Sequence, residues 1–149
     1  KIECEKIIKK IRGTSLRFTN IYGPSMKDDT VLGEIKSQID NPNKNKILLN
    51  ELDSIKDFIF IDDVISSIYM SLLKEPRTIL NVGTGVPISI KQLVENVLIV
   101  VKKFDFKIEG KKKLKKLSIN SVNIDETKSI LGWQPRTKIL NGLKIYLSN

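Results

Sequence analysis

Phe58-Ile59-Phe60-Ile61-Asp62-Asp63-Val64-Ile65 is the stretch on which the fold turns. Four consecutive apolar residues, aromatic or β-branched, have the pattern of a strand covered on both faces. Two aspartates follow at once, and either can cap free N–H groups and suit the positive end of a helix. Val64, Ile65, Ile68 and Leu72 then recur at helical spacing and are expected to face a core. Pro76 marks the end of that helix, and residues 78–82 return to a strand pattern. The unit read here is strand, helix, strand.

The same alternation extends in both directions. Residues 2–11 have helical spacing, with Ile7 and Ile11 on one face. Lys1 and Glu5 stand four apart and can pair. Gly13 ends this helix, residues 15–19 read as a strand, and Gly23-Pro24 reads as a turn. Residues 30–39 form a second helical pattern through Val31, Ile35 and Ile39, with Asp28, Asp29 or Thr30 as its cap. Residues 47–49 and 104–108 read as further strands.

Ser89 with Gln92 makes a capping box, and Ile88 with Leu93 makes a hydrophobic staple. Asn123 with Glu126 offers another box before a short helix that ends near Leu131-Gly132. A last helix is expected from about Thr137. Strands alternating with helices argue for an α/β architecture, with strands enough for only a small or incomplete parallel sheet.

Composition removes several function classes. The chain has 149 residues, no histidine and a single cysteine, Cys4. Common zinc sets, disulfide frameworks and histidine-assisted nucleophiles are therefore not expected within it. No metal site is expected. No apolar run is long enough to cross a membrane, and the start lacks the order of a signal peptide, so a cytoplasmic location is expected. The formal charge is +9, of which Lys111, Lys112, Lys113, Lys115 and Lys116 contribute five in one short run. No aromatic residues interleave with them, so nucleic acid is not an expected partner.

Local chemistry leaves alternatives. Gly83-Thr84-Gly85 follows a strand and precedes a capped helix, but it is not a GxGxxG turn and has no Walker lysine. A tight turn is the preferred reading over cofactor contact. The Asn20 amide suits a sugar-phosphate ligand as well as a turn beside Tyr22-Gly23-Pro24. Lys56 can hold a diphosphate as a point charge, or pair at the surface with Asp53 or Asp57. Trp133 reads as a packing anchor.

Taken together, residues 16–24 (LRFTNIYGP), 56–64 (KDFIFIDDV), 81–85 (NVGTG) and 131–135 (LGWQP) resemble the extended short-chain dehydrogenases. The resemblance is narrower still to the NAD-dependent nucleotide-sugar epimerase and dehydratase family, and it runs through nearly the whole chain. It implies a Rossmann-type fold with a smaller substrate lobe. It also implies that only the C-terminal part of that fold is present, because the family's Gly-rich loop and redox tyrosine have no counterpart here. Residues 1–24 would close the cofactor domain. Residues 25–149 would form mainly the substrate lobe, with 57–85 returning to the Rossmann core.

The resemblance further implies specific roles. Lys1 would be the catalytic lysine and would contact NAD, together with Phe18, Tyr22 and Pro24. Asn20, Val31 and Lys56 would contact the nucleotide sugar. Lys56 stands where the family usually has an arginine, so a bidentate clamp is lost. One lysine of 111–116 would substitute for a second phosphate-binding arginine. The function implied is that of a UDP-glucose 4-epimerase-like isomerase working by transient oxidation at sugar C4, with this chain an inactive fragment of it. The alternatives are a nucleotide-sugar 4,6-dehydratase or 4-keto reductase, and a noncatalytic anion-binding module. A homodimer would be compatible with the complete protein.

Overall fold

A computed structural model of the chain describes residues 2–27, 29–111 and 118–148. Lys1, Asp28 and Lys112 to Lys116 lie outside the described residues, and with them the catalytic-lysine expectation and most of the basic run. In chain order the elements are α1 (Ile2–Lys10), β1 (Ser15–Phe18), β2 (Asn20–Tyr22), α2 (Val31–Asp40), β3 (Lys46–Leu49), β4 (Ile55–Lys56) and β5 (Phe58–Phe60). There follow α3 (Ile61–Lys74), β6 (Ile79–Val82), β7 (Ile88–Ser89), α4 (Ile90–Val101), β8 (Lys107–Gly110), β9 (Ile119–Asn120), α5 (Asp125–Leu131) and α6 (Ile139–Leu147). The chain divides into two compact units.

The first unit comprises residues 1–21, 57–87 and 120–137. Strands β1 and β6 run parallel in a register from Ser15 against Ile79 to Phe18 against Val82. Strand β2 lies beside β5. Ile59, Val64, Leu80, Val82, Leu131 and Trp133 form a buried cluster, against which Leu16, Phe18, Ile61 and Met70 pack. The indole N–H of Trp133 donates to Ser66 Oγ at 2.8 Å. Thr127 Oγ1 donates to the Asn81 carbonyl at 2.6 Å and ties α5 to β6. Gly132 ends α5 in the left-handed region, at φ 60°, where a side chain is disfavoured.

Helix α3 is rotated from the expected orientation. Ile65, Ile68 and Leu72 are exposed, while Val64, Ser67 and Ser71 face inward. Small serines make the inner face close-packed, and each returns its hydroxyl to the helix. Ser67 Oγ donates to the Val64 carbonyl at 2.7 Å, and Ser71 Oγ donates to the Ile68 carbonyl at 2.8 Å. Their polar atoms are thereby satisfied without a partner from outside the helix.

The two aspartates do not cap α3 either. Its N-cap is Phe60, with no side-chain capping bond. The Asp63 carboxylate instead accepts from the backbone N–H groups of Arg136 and Thr137, at 2.9 and 3.0 Å.

The second unit comprises residues 22–56, 88–119 and 138–149. Strands β3 and β8 are parallel, with Lys46 against Lys107 and Leu49 against Gly110. Strands β4 and β7 are antiparallel. Helix α2 packs on β3 and α4 packs on α6. Buried Gln38 reads the β3 backbone in both directions: Nε2 donates to the Leu48 carbonyl and Oε1 accepts from the Leu48 N–H.

The caps of this unit follow the sequence closely. Thr30 Oγ1 accepts from the Gly33 N–H at 3.2 Å. Both bonds of the Ser89–Gln92 capping box form. The Asn123–Glu126 box expected in the first unit does not. Asn123 Oδ1 accepts from the Asp125 N–H, a shorter loop that leaves Ile124 at the N-cap.

Among the described residues, no helix is long and apolar enough to cross a membrane, and no cluster of three or more carboxylate, thiol or imidazole groups could hold a metal ion.

Candidate functional site

In the second unit, the first turn of α2, the end of β3, strand β4 and the start of α4 surround a cleft of about 460 Å³. Val31 and Lys56, singled out from the sequence, both line it. Leu49 and Ile90 line it as well, and both are buried core residues. The floor is therefore apolar. Its volume falls in the range of small-molecule sites, roughly 300–1,000 Å³.

Charge in this cleft is unevenly committed. Glu34 is paired with Lys111 at 3.1 Å. Glu51 accepts from the Ser54 hydroxyl at 2.9 Å. Lys56 is half-buried and forms no ion pair with a described carboxylate. The surface pairing with Asp53 or Asp57 weighed from the sequence is absent. An uncommitted ammonium beside an apolar floor suits a ligand with a flat apolar part and an anionic part.

The other candidate residues take different positions. In the first unit, Asn20 donates twice to the Asp57 carbonyl, through its backbone N–H at 3.0 Å and through Nδ2 at 2.9 Å. Phe18 pairs with Val82 and packs against the buried cluster. Tyr22 belongs to the second unit and is buried, its hydroxyl 3.4 Å from the Ile139 carbonyl. Pro24 is exposed in a turn. Val31 and Lys56 are thus the two sequence candidates that share one cavity.

Gly83-Thr84-Gly85 is a closed turn in the first unit. The N–H groups of Thr84 and Gly85 both donate to the Asp57 carboxylate, at 3.0–3.1 Å and 3.0 Å. Thr84 Oγ1 donates to the same carboxylate. A Cβ on Gly83 would come within 2.5 Å of Asp57 Oδ2 and 2.7 Å of Thr19 Cγ2. The glycine is required by close approach, as the tight-turn reading holds. An incoming phosphate would meet a carboxylate where it needs free donors.

The chemistry of Asp57 was not legible from its neighbours in sequence, which suggested a surface partner for Lys56. A carboxylate at the head of a covered strand needs several donors nearby, and the Gly-Thr-Gly turn supplies them.

Glu5, expected to pair with Lys1, receives both arms of the Arg17 guanidinium. Nε donates at 2.7 Å and Nη2 at 2.6 Å. The hydrogen bond from Arg17 holds the Glu5 carboxyl below its ordinary value, and the same pair raises Arg17. A depressed carboxyl contributes its share above the unfolded value and loses it as pH falls through the folded value. The tether of α1 to β1 is therefore expected to persist through neutral pH and to open only in acid, as pH falls through that lowered value beneath the ordinary glutamate range. Exchange of the Arg17 Nε proton, followed by NMR from neutral to acid pH, checks this. Protection unchanged by Glu5→Gln at neutral pH would contradict it.

A family model described as "NAD dependent epimerase/dehydratase family" matches residues 4–83. The dTDP-4-dehydro-6-deoxyglucose reductase of Escherichia coli is 27% identical over 150 residues, covering 92% of this chain and 45% of that protein. A putative UDP-glucose 4-epimerase of Methanocaldococcus jannaschii is 28% identical over 133 residues, covering 87% and 42%. Among solved structures, RMD from Pseudomonas aeruginosa complexed with NADPH superposes at a TM-score of 0.87 with 20% identity, covering 99% of this chain and 52% of that one. The chain spans about half the length of the relatives it matches.

These matches correct one expectation. The sequence resemblance implies only the C-terminal part of a Rossmann-type extended short-chain dehydrogenase fold. The likeness extends over 99% of the chain, so that fold is assigned to the chain throughout and not to a lobe of it. The expectation of an inactive C-terminal fragment, which rested on the same reading, is withdrawn with it.

Proposed function

Because the chain belongs to the NAD-dependent epimerase/dehydratase family, we propose that the protein acts on a nucleotide sugar by nicotinamide-dependent chemistry of the epimerase/dehydratase kind. The observation that carries the reading is the cleft of the second unit, where uncommitted Lys56 stands beside an apolar floor. A nucleotide has the matching parts, a flat base and an anionic diphosphate. The base would lie against Val31, Leu49 and Ile90, and the diphosphate would meet Lys56. The relatives differ in reaction, reductase against epimerase, but both names carry a nucleoside-diphosphate hexose and position 4. That common ground supports redox chemistry at C4.

The nicotinamide cofactor, when bound, accepts and returns hydride. Its use is supported by the family and by a relative in fold solved with NADPH. The Gly83-Thr84-Gly85 turn does not fit its phosphates, because the Asp57 carboxylate occupies the turn's N–H groups. Lys1 is proposed as the catalytic lysine, Phe18, Tyr22 and Pro24 as residues bordering the cofactor, and Asn20 as a ligand contact in the first unit.

The test is to incubate the intact protein with NAD+ or NADP+ and a panel of UDP- and dTDP-hexoses, following the sugar by proton NMR. Conversion at C4 of at least one sugar is expected. Failure of every sugar to bind or to change would overturn the reading.

A further inference from the structure

We propose that Asp57 is a positioning residue, whose buried carboxylate holds the peptide that aims the Asn20 amide. The proposal rests on the nucleotide-sugar reading for the role of Asn20, but not for the geometry. Asp57 is fully buried. Both its carboxylate oxygens accept from the Thr84 N–H, and one or other accepts from the Gly85 N–H and the Thr84 hydroxyl. Its backbone N–H donates to the Asn120 carbonyl at 3.0 Å. Its carbonyl accepts both bonds from Asn20. Every polar group of the residue is committed.

Those bonds close a ring. Thr19 N–H donates to the Val82 carbonyl at 3.0 Å, which fixes the chain between β1 and β2 against the end of β6. The turn after β6 holds the Asp57 carboxylate, and the Asp57 carbonyl returns to Asn20. The approach is close enough at Gly83 that no side chain fits.

The ring also decides which way Asn20 points. A carbonyl can only accept, so the amide nitrogen must face Asp57. The oxygen Oδ1 is held on the opposite side. Asn20 therefore offers a ligand a fixed acceptor and one remaining N–H. Asp57 itself has no free lone pair directed at a ligand among these contacts and takes no part as an acid or a base.

Thr84→Val removes one hydroxyl donor to Asp57, together with the acceptor of the exposed Val86 N–H, and keeps the volume and both N–H donors. Asp57→Asn turns a donor toward donors and is the harsher change. In Thr84→Val the side-chain amide signals of Asn20 are expected to shift in a nitrogen–proton correlation spectrum of a folded protein. Affinity for UDP-glucose is expected to fall by about 2–10-fold, the scale of one lost hydrogen bond. That loss should disappear in an Asn20→Ala background, since Thr84 would act only through Asn20.

Unshifted Asn20 amide signals in Thr84→Val, or additive effects in the cycle, would overturn the proposal. If the unmodified protein fails to bind any nucleotide sugar, the function reading fails, and the amide signals still decide the positioning claim. If Asp57→Asn does not fold, Thr84→Val carries the test alone.

Discussion

Trp133→Ala is expected to lower the stability of the protein by about 3–5 kcal/mol, the cost of emptying a large aromatic site in a core. The indole is 5% exposed and belongs to the cluster that includes Ile59, Leu80 and Leu131. Its N–H reaches Ser66 Oγ, and that hydroxyl donates onward to the Asp63 carbonyl at 2.8 Å. The Asp63 carboxylate in turn holds the backbone of Arg136 and Thr137. Removing the ring thus opens a cavity and loosens the anchor of the segment after α5. Trp133→Phe keeps most of the packing but loses the N–H donor, and should cost about 1 kcal/mol beyond its smaller volume. Urea unfolding followed by far-ultraviolet circular dichroism measures both. An alanine variant with an unchanged midpoint would contradict the assigned role.

Lys56→Met is expected to weaken binding of a nucleoside diphosphate by about 10–100-fold, the scale for losing a hydrogen bond to a charged group. The stem of methionine keeps the apolar contacts of lysine, so the loss isolates the ammonium. The neighbouring acids Asp29, Glu34 and Glu51 are anionic and cannot take its place opposite a phosphate. Lys56→Arg should bind at least as well as lysine, since a guanidinium fork meets phosphate oxygens in pairs. Calorimetric titration with UDP distinguishes these outcomes. Equal affinity in the methionine variant would remove Lys56 from the site.

Local signals in the sequence carried much of this structure. Thr30 caps α2, and Ser89 with Gln92 boxes the start of α4, because both motifs act within a single turn. Gly83-Thr84-Gly85 was legible as a turn because its glycines punctuate a strand end. The family resemblance names Asn20, Val31 and Lys56 as substrate contacts, and of these Val31 and Lys56 line one cleft, whose ligand is a proposal.

Partners distant in sequence were not legible. Asp63 looked like a helix cap, yet its donors lie 73 and 74 residues away. Asp57 looked like a surface partner for Lys56, yet its donors come from a turn 27 and 28 residues on. The rotation of α3 misled for a related reason. Large apolar residues outweigh serines in any reading of periodicity, but Ser67 and Ser71 bond within the helix and pack more closely. Leu49 and Ile90 carry no site signal in the sequence, and only the fold brings them to the cleft wall.

The most direct test of the account is a titration of nitrogen-15-labelled protein with UDP. The account predicts that backbone signals of Val31, Leu49, Asn50, Lys56 and Ile90 shift together and saturate, and that Lys56→Met abolishes the saturation at the same concentrations. Shifts confined to residues outside this cleft, or none at all, would contradict it.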